Sequence, residues 1–86
     1  MPNLTSDNVL AELQPIFQEA LNTPTLVVTR KSNALNTAKW DSLAHIELIE
    51  MVELHFRVKF GLGELQELKE VGDLIDLVIE KVNMKR

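Results

Sequence analysis

Trp40-Asp41-Ser42-Leu43-Ala44-His45-Ile46-Glu47-Leu48-Ile49-Glu50-Met51-Val52-Glu53-Leu54-His55-Phe56 is the stretch whose reading decides the fold. A segment rich in Asn, Thr and Ser runs into Asp41-Ser42, and apolar residues then recur at helical spacing. This predicts a helix that begins at Ser42 and runs to about Phe56. Ser42 is thereby placed at a helix mouth, where unpaired backbone N–H groups and the positive end of the helix dipole favour an anion. A phosphate ester on this serine would sit where negative charge is stabilised.

On a wheel of about 100° per residue, Leu48, Ile49, Val52 and Phe56 share one side and form the core face. Glu47, Glu50 and Glu53 fall together on another side, interleaved with Leu43, Ile46 and Leu54. A surface helix of ordinary composition carries mixed charges or small polar residues there. Charge of one sign set among large apolar residues reads instead as a docking surface for a basic partner, with carboxylates steering and apolar anchors packing.

Working outward, the charge of the whole chain agrees with this emphasis. The net charge is −4, and the acids concentrate after residue 40, around the serine helix. Nucleic-acid binding needs the opposite sign and a basic stripe with aromatics, which is lacking. The 86 residues, 45% hydrophobic and 26% charged, suit a single folded domain spanning 1–86 rather than a disordered segment. No apolar run reaches the roughly 18 residues of a membrane span, and the N-terminus lacks a signal-peptide pattern, so the cytoplasm is the expected compartment. There is no cysteine, which excludes disulfides and thiolate nucleophiles.

Before the serine helix, Thr5 or Ser6 can cap a first helix, with Asp7 in its first turn. Val9, Leu10, Leu13, Ile16, Phe17, Ala20 and Leu21 follow a helical period. Pro15 predicts a kink, or two pieces joined near Gln14. Asn22 and Pro24 end the helix. Residues 22–40 form a long connection in which Val27 and Val28 have no partner strand, and Leu26, Val28 and Leu35 are expected to pin it to the core. After Phe56, Phe60-Gly61-Leu62-Gly63 breaks the pattern, and Leu62, Leu65 and Leu68 suggest a short helical piece whose leucines join the core. A last helix should start near Val71–Asp73, with an apolar stripe of Val71, Leu74, Ile75, Val78 and Val82 and a basic end at Lys81, Lys85 and Arg86. The fold class is all-α: a small four-helix bundle with a short third helix and a long first loop.

Each candidate also has a plain structural reading. Ser42 makes a good N-cap, but capping does not explain the acidic and apolar face beside it. As a hydrolytic nucleophile Ser42 would need a base, and His45 points to the apolar side of the wheel. His45 and His55 lie on different sides of the helix without cysteine or a convergent carboxylate, so no metal site and no catalytic residue is expected. His45 reads as a core-edge histidine with one polar contact, with a place near a group bound at Ser42 as the alternative; Trp40 either packs under the loop, the preferred reading, or stands beside such a group. Gly61, Gly63 and Gly72 are turn and helix-start glycines, since no lysine-serine pair follows them.

Asp41-Ser42-Leu43, the Ile46-Glu47-Leu48-Ile49 run, Glu53 and Phe56 together resemble the Asp-Ser-Leu motif and second helix of acyl carrier proteins. Val71-Gly72-Asp73-Leu74-Ile75 resembles the opening of that family's last helix, and the likeness covers about residues 35 to 82. The resemblance implies that Ser42 is esterified with 4′-phosphopantetheine, taken from coenzyme A by a separate phosphopantetheinyl transferase. The thiol of that arm would hold acyl cargo as a thioester, as in fatty acid and lipid metabolism. It further implies that Asp41 assists recognition by the transferase and its metal, that Leu43 and Ile46 are contact anchors, and that Glu47 and Glu53 are docking acids. The protein itself would be no enzyme. Its partners would be the transferase, an acyl-loading ligase or synthase and downstream acyl-using enzymes, met by a monomer.

Several residues depart from the family's pattern: Pro15, Trp40, Ala44, Glu50, Leu54, His55 and the Phe60–Gly63 segment. They point to a specialised carrier rather than the housekeeping fatty-acid type. Two alternatives remain open on the residues: an aminoacyl or peptidyl carrier, and an unmodified acidic helical adaptor.

Overall fold

A computed structural model describes residues 4–84. Lys85 and Arg86, expected to favour the end of the last helix, lie outside the described residues. The elements in order are α1 (Ser6–Ala20), α2 (Ser42–Phe56), α3 (Leu62–Gln66) and α4 (Val71–Met84), and among the described residues there is no strand. Helix α1 packs against both α2 and α4.

Thr5 caps α1, its hydroxyl accepting from the Asn8 N–H at 3.1 Å. Val9, Leu13, Ile16 and Phe17 are buried along one stripe of this helix, as the period requires. Of the two outcomes expected at Pro15, two separate pieces joined near Gln14 do not occur: one helix runs through it. Pro15 and Ala11 are both exposed, so the position where the ladder lacks an N–H donor lies on the side of α1 away from the buried stripe. The helix ends at Leu21 and at Asn22, whose φ of 51° turns the chain out of the helix.

Residues of α1 also solve the problem posed by the unpaired Val27-Val28 segment. The Gln14 side-chain amide donates to the Val28 carbonyl at 2.8 Å, while its oxygen accepts the Val28 N–H at 2.9 Å. Gln18 Nε2 donates to the Leu26 carbonyl at 2.9 Å. Two glutamines thus stand in for the missing strand, satisfying backbone groups that burial would otherwise leave orphaned. Val28 is buried and Leu26 packs against the core.

Leu35, expected to pin the loop, is instead 99% exposed. Asn33 Oδ1 accepts from the N–H groups of Leu35 and Asn36 at 2.8 and 2.9 Å, and Asn36 Oδ1 accepts from the Asn33 N–H at 2.9 Å. This reciprocal side-chain turn is closed by local bonds, and it leaves the leucine side chain in solvent.

The far part of the loop caps α4. The N–H groups of Val71 and Gly72 donate to the carbonyls of Ser32 and Arg30, each at 2.8 Å. Gly72 suits this approach, since a Cβ there would lie 3.1 Å from the Arg30 oxygen, and the loop would have to give by a few tenths of an ångström. The Arg30 guanidinium adds an exposed ion pair with Asp76 at 3.2 Å and a hydrogen bond to the Ser6 hydroxyl.

Helix α2 ends on Arg57, in the left-handed conformation with φ 57°. Val58 N–H then returns to the Glu53 carbonyl at 3.0 Å. Helix α3 is one short piece, as the glycine breaks predict. Glu64 Oε1 accepts the Gly61 N–H at 2.7 Å and pairs with Lys81 Nζ at 2.8 Å. The bond from Lys81, followed by that from Gly61, holds the Glu64 carboxyl below its ordinary range. Leu65 and Leu68 pack against the core, but Leu62 is 74% exposed. A helix this short has its first residue still turned outward, so that member of the expected leucine series is corrected. In α4, Val71, Leu74, Ile75 and Val78 are buried and Val82 is partly buried.

Candidate functional site

The mouth of α2 is organised by Asp41, not by Ser42. Asp41 is extended (φ −105°, ψ −174°) and its Oδ1 accepts the Ala44 N–H at 2.8 Å, while its carbonyl accepts the His45 N–H at 2.9 Å. Asp41 is thus the N-cap, and Ser42 is the first helical residue. The plain capping role considered for Ser42 is therefore taken by its neighbour. Ser42 is exposed, and its hydroxyl has no hydrogen-bond partner among the described residues. With the Ala44 N–H spent on Asp41, the N–H groups of Ser42 and Leu43 are the unpaired donors of this first turn.

These roles separate experimentally. Asp41→Ala removes the cap and should cost about 1 kcal/mol of stability, whereas Ser42→Ala should cost less than about 0.5 kcal/mol. Urea denaturation of the two variants checks this.

Ser42 borders an open depression of about 470 Å³ lined by Ala34, Trp40, Asp41, Ser42, His45 and Ile46. Trp40 lies edge-on against Phe17 of α1, with ring centroids 5.2 Å apart. Its indole Nε1–H donates to His45 Nδ1 at 3.1 Å. The packing role expected of Trp40 and the single polar contact expected of His45 are thus the two ends of one arrangement. The hydrogen bond itself was not readable, because nothing local says that an indole before a helix mouth meets the first turn's histidine. As a base for Ser42, His45 is poorly suited: its Nδ1 lone pair is engaged by Trp40, and burial lowers its pKa below the ordinary 6.5.

That burial sets a pH dependence. A histidine whose pKa is depressed in the folded state stabilises the fold fully above about pH 6.5, and this contribution is lost as pH falls through the folded value. Protonation of Nδ1 also breaks the bond from Trp40. The fluorescence of Trp40, the only tryptophan, should therefore change below about pH 6.5 in the wild type and stay flat in His45→Asn.

The outer face of α2 holds the remaining candidates. Leu43, Ile46, Glu47, Glu50 and Leu54 are all exposed, while Ala44, Leu48, Ile49 and Val52 face the core. Burial of Ala44 was not singled out by the wheel, and Phe56 is only partly buried. Glu53 is half-buried, and its Oε2 accepts the Phe60 N–H at 2.9 Å, which ties the chain after α2 back to the helix. His55 sits apart from His45 and pairs with Glu12 of α1 at 2.8 Å. Among the described residues no group of acids and histidines is placed to hold a metal, and no helix is long and apolar enough to cross a membrane.

The site is thus the mouth of a helix in a four-helix bundle, where an exposed serine is presented beside an acidic and apolar helix face. Comparison with known proteins places this arrangement among carriers and gives it a family. A holo acyl carrier protein from Geobacter metallireducens, solved by NMR, is similar at 47% identity with a TM-score of 0.82, covering 88% of this chain and 87% of that one. The acyl carrier protein of Acidothermus cellulolyticus is 29% identical over 75 residues, covering 87% of this chain and 89% of the relative. That of Coprothermobacter proteolyticus is 28% identical over 72 residues, covering 84% and 88%. No family model matches the chain. The chain belongs to the acyl carrier protein family. It is a carrier of acyl groups on a covalently attached 4′-phosphopantetheine, not an enzyme, and it works with modifying and acyl-using enzymes.

Proposed function

We propose that Ser42 is the residue that bears the 4′-phosphopantetheine arm. The observation that carries this reading is the division of labour at the helix mouth: Asp41 does the capping, and the exposed Ser42 hydroxyl is left without a partner. When bound, the arm supplies the thiol that the cysteine-free chain lacks and holds cargo as a thioester. The chain's own residues do the rest. The Ser42 and Leu43 N–H groups and the helix dipole stabilise the phosphodiester anion, and Asp41 fixes the turn that presents the hydroxyl.

The α2 face is the docking surface in this reading. Leu43 and Ile46 beside the serine are apolar anchors, and Glu47, Glu50 and Glu53 steer basic partners. Glu53 divides its carboxylate between that task and the Phe60 N–H. The partners are a phosphopantetheinyl transferase, an acyl-loading ligase or synthase, and enzymes that take up the acyl group. The chain acts as one monomeric carrier domain in the cytoplasm. The exposed Leu54 and Leu62 add apolar contact area, which favours partners of a specialised pathway over those selected by acid alone.

The test is intact mass after incubation with coenzyme A, magnesium and a broad-specificity phosphopantetheinyl transferase, run beside Ser42→Ala. The wild type should gain one phosphopantetheine unit and the variant none. Equal gain in both would move the attachment elsewhere. No gain in either folded protein would favour the unmodified adaptor.

A further inference from the structure

Trp40 and His45 form a pair that the carrier reading leaves unused. Because His45 Nδ1 accepts the indole N–H at 3.1 Å, the neutral ring must carry its own proton on Nε2. The donor is held in turn by the core, since Trp40 rests edge-on against Phe17, a fully buried residue of α1. His45 is half-buried, and among the described residues its Nε2 has no hydrogen-bond partner. The side chain lines the same depression as Ser42 and Asp41. A ring of assigned tautomer, fixed by its neighbour, thus keeps one unspent donor beside the candidate attachment point.

The electrostatics of the mouth call for such a donor. Asp41 already places a carboxylate next to Ser42 in sequence and in the depression. A phosphodiester on Ser42 adds a second negative charge, and like charges at such separation disfavour each other. The Ser42 and Leu43 N–H groups offset part of this. Among the residues lining the depression, Asp41 and His45 are the titratable ones, and His45 alone can become positive. Phe17, which reaches the pair from α1, brings no charge.

We propose that His45 is a positioning residue for the arm: held by Trp40, it donates its Nε2 proton to a phosphodiester oxygen on Ser42. The inference rests on the reading that Ser42 bears the arm. In the unmodified protein His45 has only the indole to hold it. In the modified protein it also orients the first atoms of the arm against the rim formed by Trp40 and Ile46. The phosphodiester also favours the imidazolium, in which Nε2 still donates although Nδ1 no longer accepts from Trp40, so attachment raises the affinity of His45 for a proton.

The experiment compares unmodified and phosphopantetheinylated protein by NMR, following both histidines and the phosphorus resonance from about pH 5 to about pH 8. The His45 midpoint should rise by on the order of half to one pH unit on attachment. The phosphorus shift should inflect at that same pH. His55, paired with Glu12, should not move and serves as the internal control. In modified His45→Phe the phosphorus inflection should vanish. In Trp40→Phe, which keeps an aromatic ring against Phe17, the nitrogen shifts should show a mixture of tautomers and the inflection should shrink.

If the mass shows an attached arm but the His45 midpoint is unchanged, the inference is overturned while the carrier reading stands. A moved midpoint with a flat phosphorus titration also overturns it, because through-space charge then acts without contact. If no arm attaches at Ser42, both readings fall together.

Discussion

Phe17→Ala is expected to remove about 3–5 kcal/mol of stability. Phe17 is fully buried, heads the core by size and also supports the Trp40 indole. A domain of this length has only about 4–13 kcal/mol in total, so the variant should be partly unfolded at room temperature or melt far below the wild type. Urea denaturation followed by circular dichroism measures the loss. Phe17→Leu, which refills most of the volume, should lose less than half as much. A loss below about 1 kcal/mol in the alanine variant would mean that the core closes over the gap, contrary to the packing described.

The second large effect is expected from a polar residue. Gln14→Leu keeps the bulk of the side chain but takes away both bonds to Val28, whose N–H and carbonyl are then left unpaired beside a buried side chain. Each orphaned group costs about 1–3 kcal/mol, so a total of about 2–4 kcal/mol is expected after the gain from the added apolar surface. Gln18→Leu frees only the Leu26 carbonyl and should lose about half as much. Equal and small losses in both variants would show that water takes over the role of the amides.

Much of this structure was legible because its main signals are local. The start of α2 at Ser42 follows from a polar run meeting a helical period, and the opening of α4 at Val71 from the Val71-Gly72-Asp73 pattern followed by an apolar stripe. The exposed partnerless serine was half visible: the helix mouth could be read, but not whether Asp41 or Ser42 would take the cap, since both residue types cap well. Leu35 and Leu62 were misplaced for a common reason. Each is a leucine in a segment too short to have a period, so composition says apolar while the turn geometry decides which way it points. Pro15 shows the reverse case, in which a residue that could divide a helix into two pieces sits within one helix held by a buried stripe of Val9, Leu13, Ile16 and Phe17. The Gln14 and Gln18 clamps had no readable signal, because their partners lie in another segment and a glutamine on an exposed face looks the same. The Trp40–His45 bond was hidden likewise, although both residues had been singled out separately.

The capping of α4 by the carbonyls of Arg30 and Ser32 bears on the order in which the chain folds. The first turn of a helix is its costly nucleus, and here two of the donors of that turn are satisfied by a segment on the far side of α2 and α3 in sequence. Local bonds between Glu70 and the N–H groups of Asp73 and Leu74 close part of that turn, but the N–H groups of Val71 and Gly72 are satisfied only when the first connection lies against them. The junction of the two segments is therefore expected to close late in folding, after α1 and α2 have met. Mutations at the junction, such as Gly72→Ala, should chiefly speed unfolding and leave the folding rate almost unchanged.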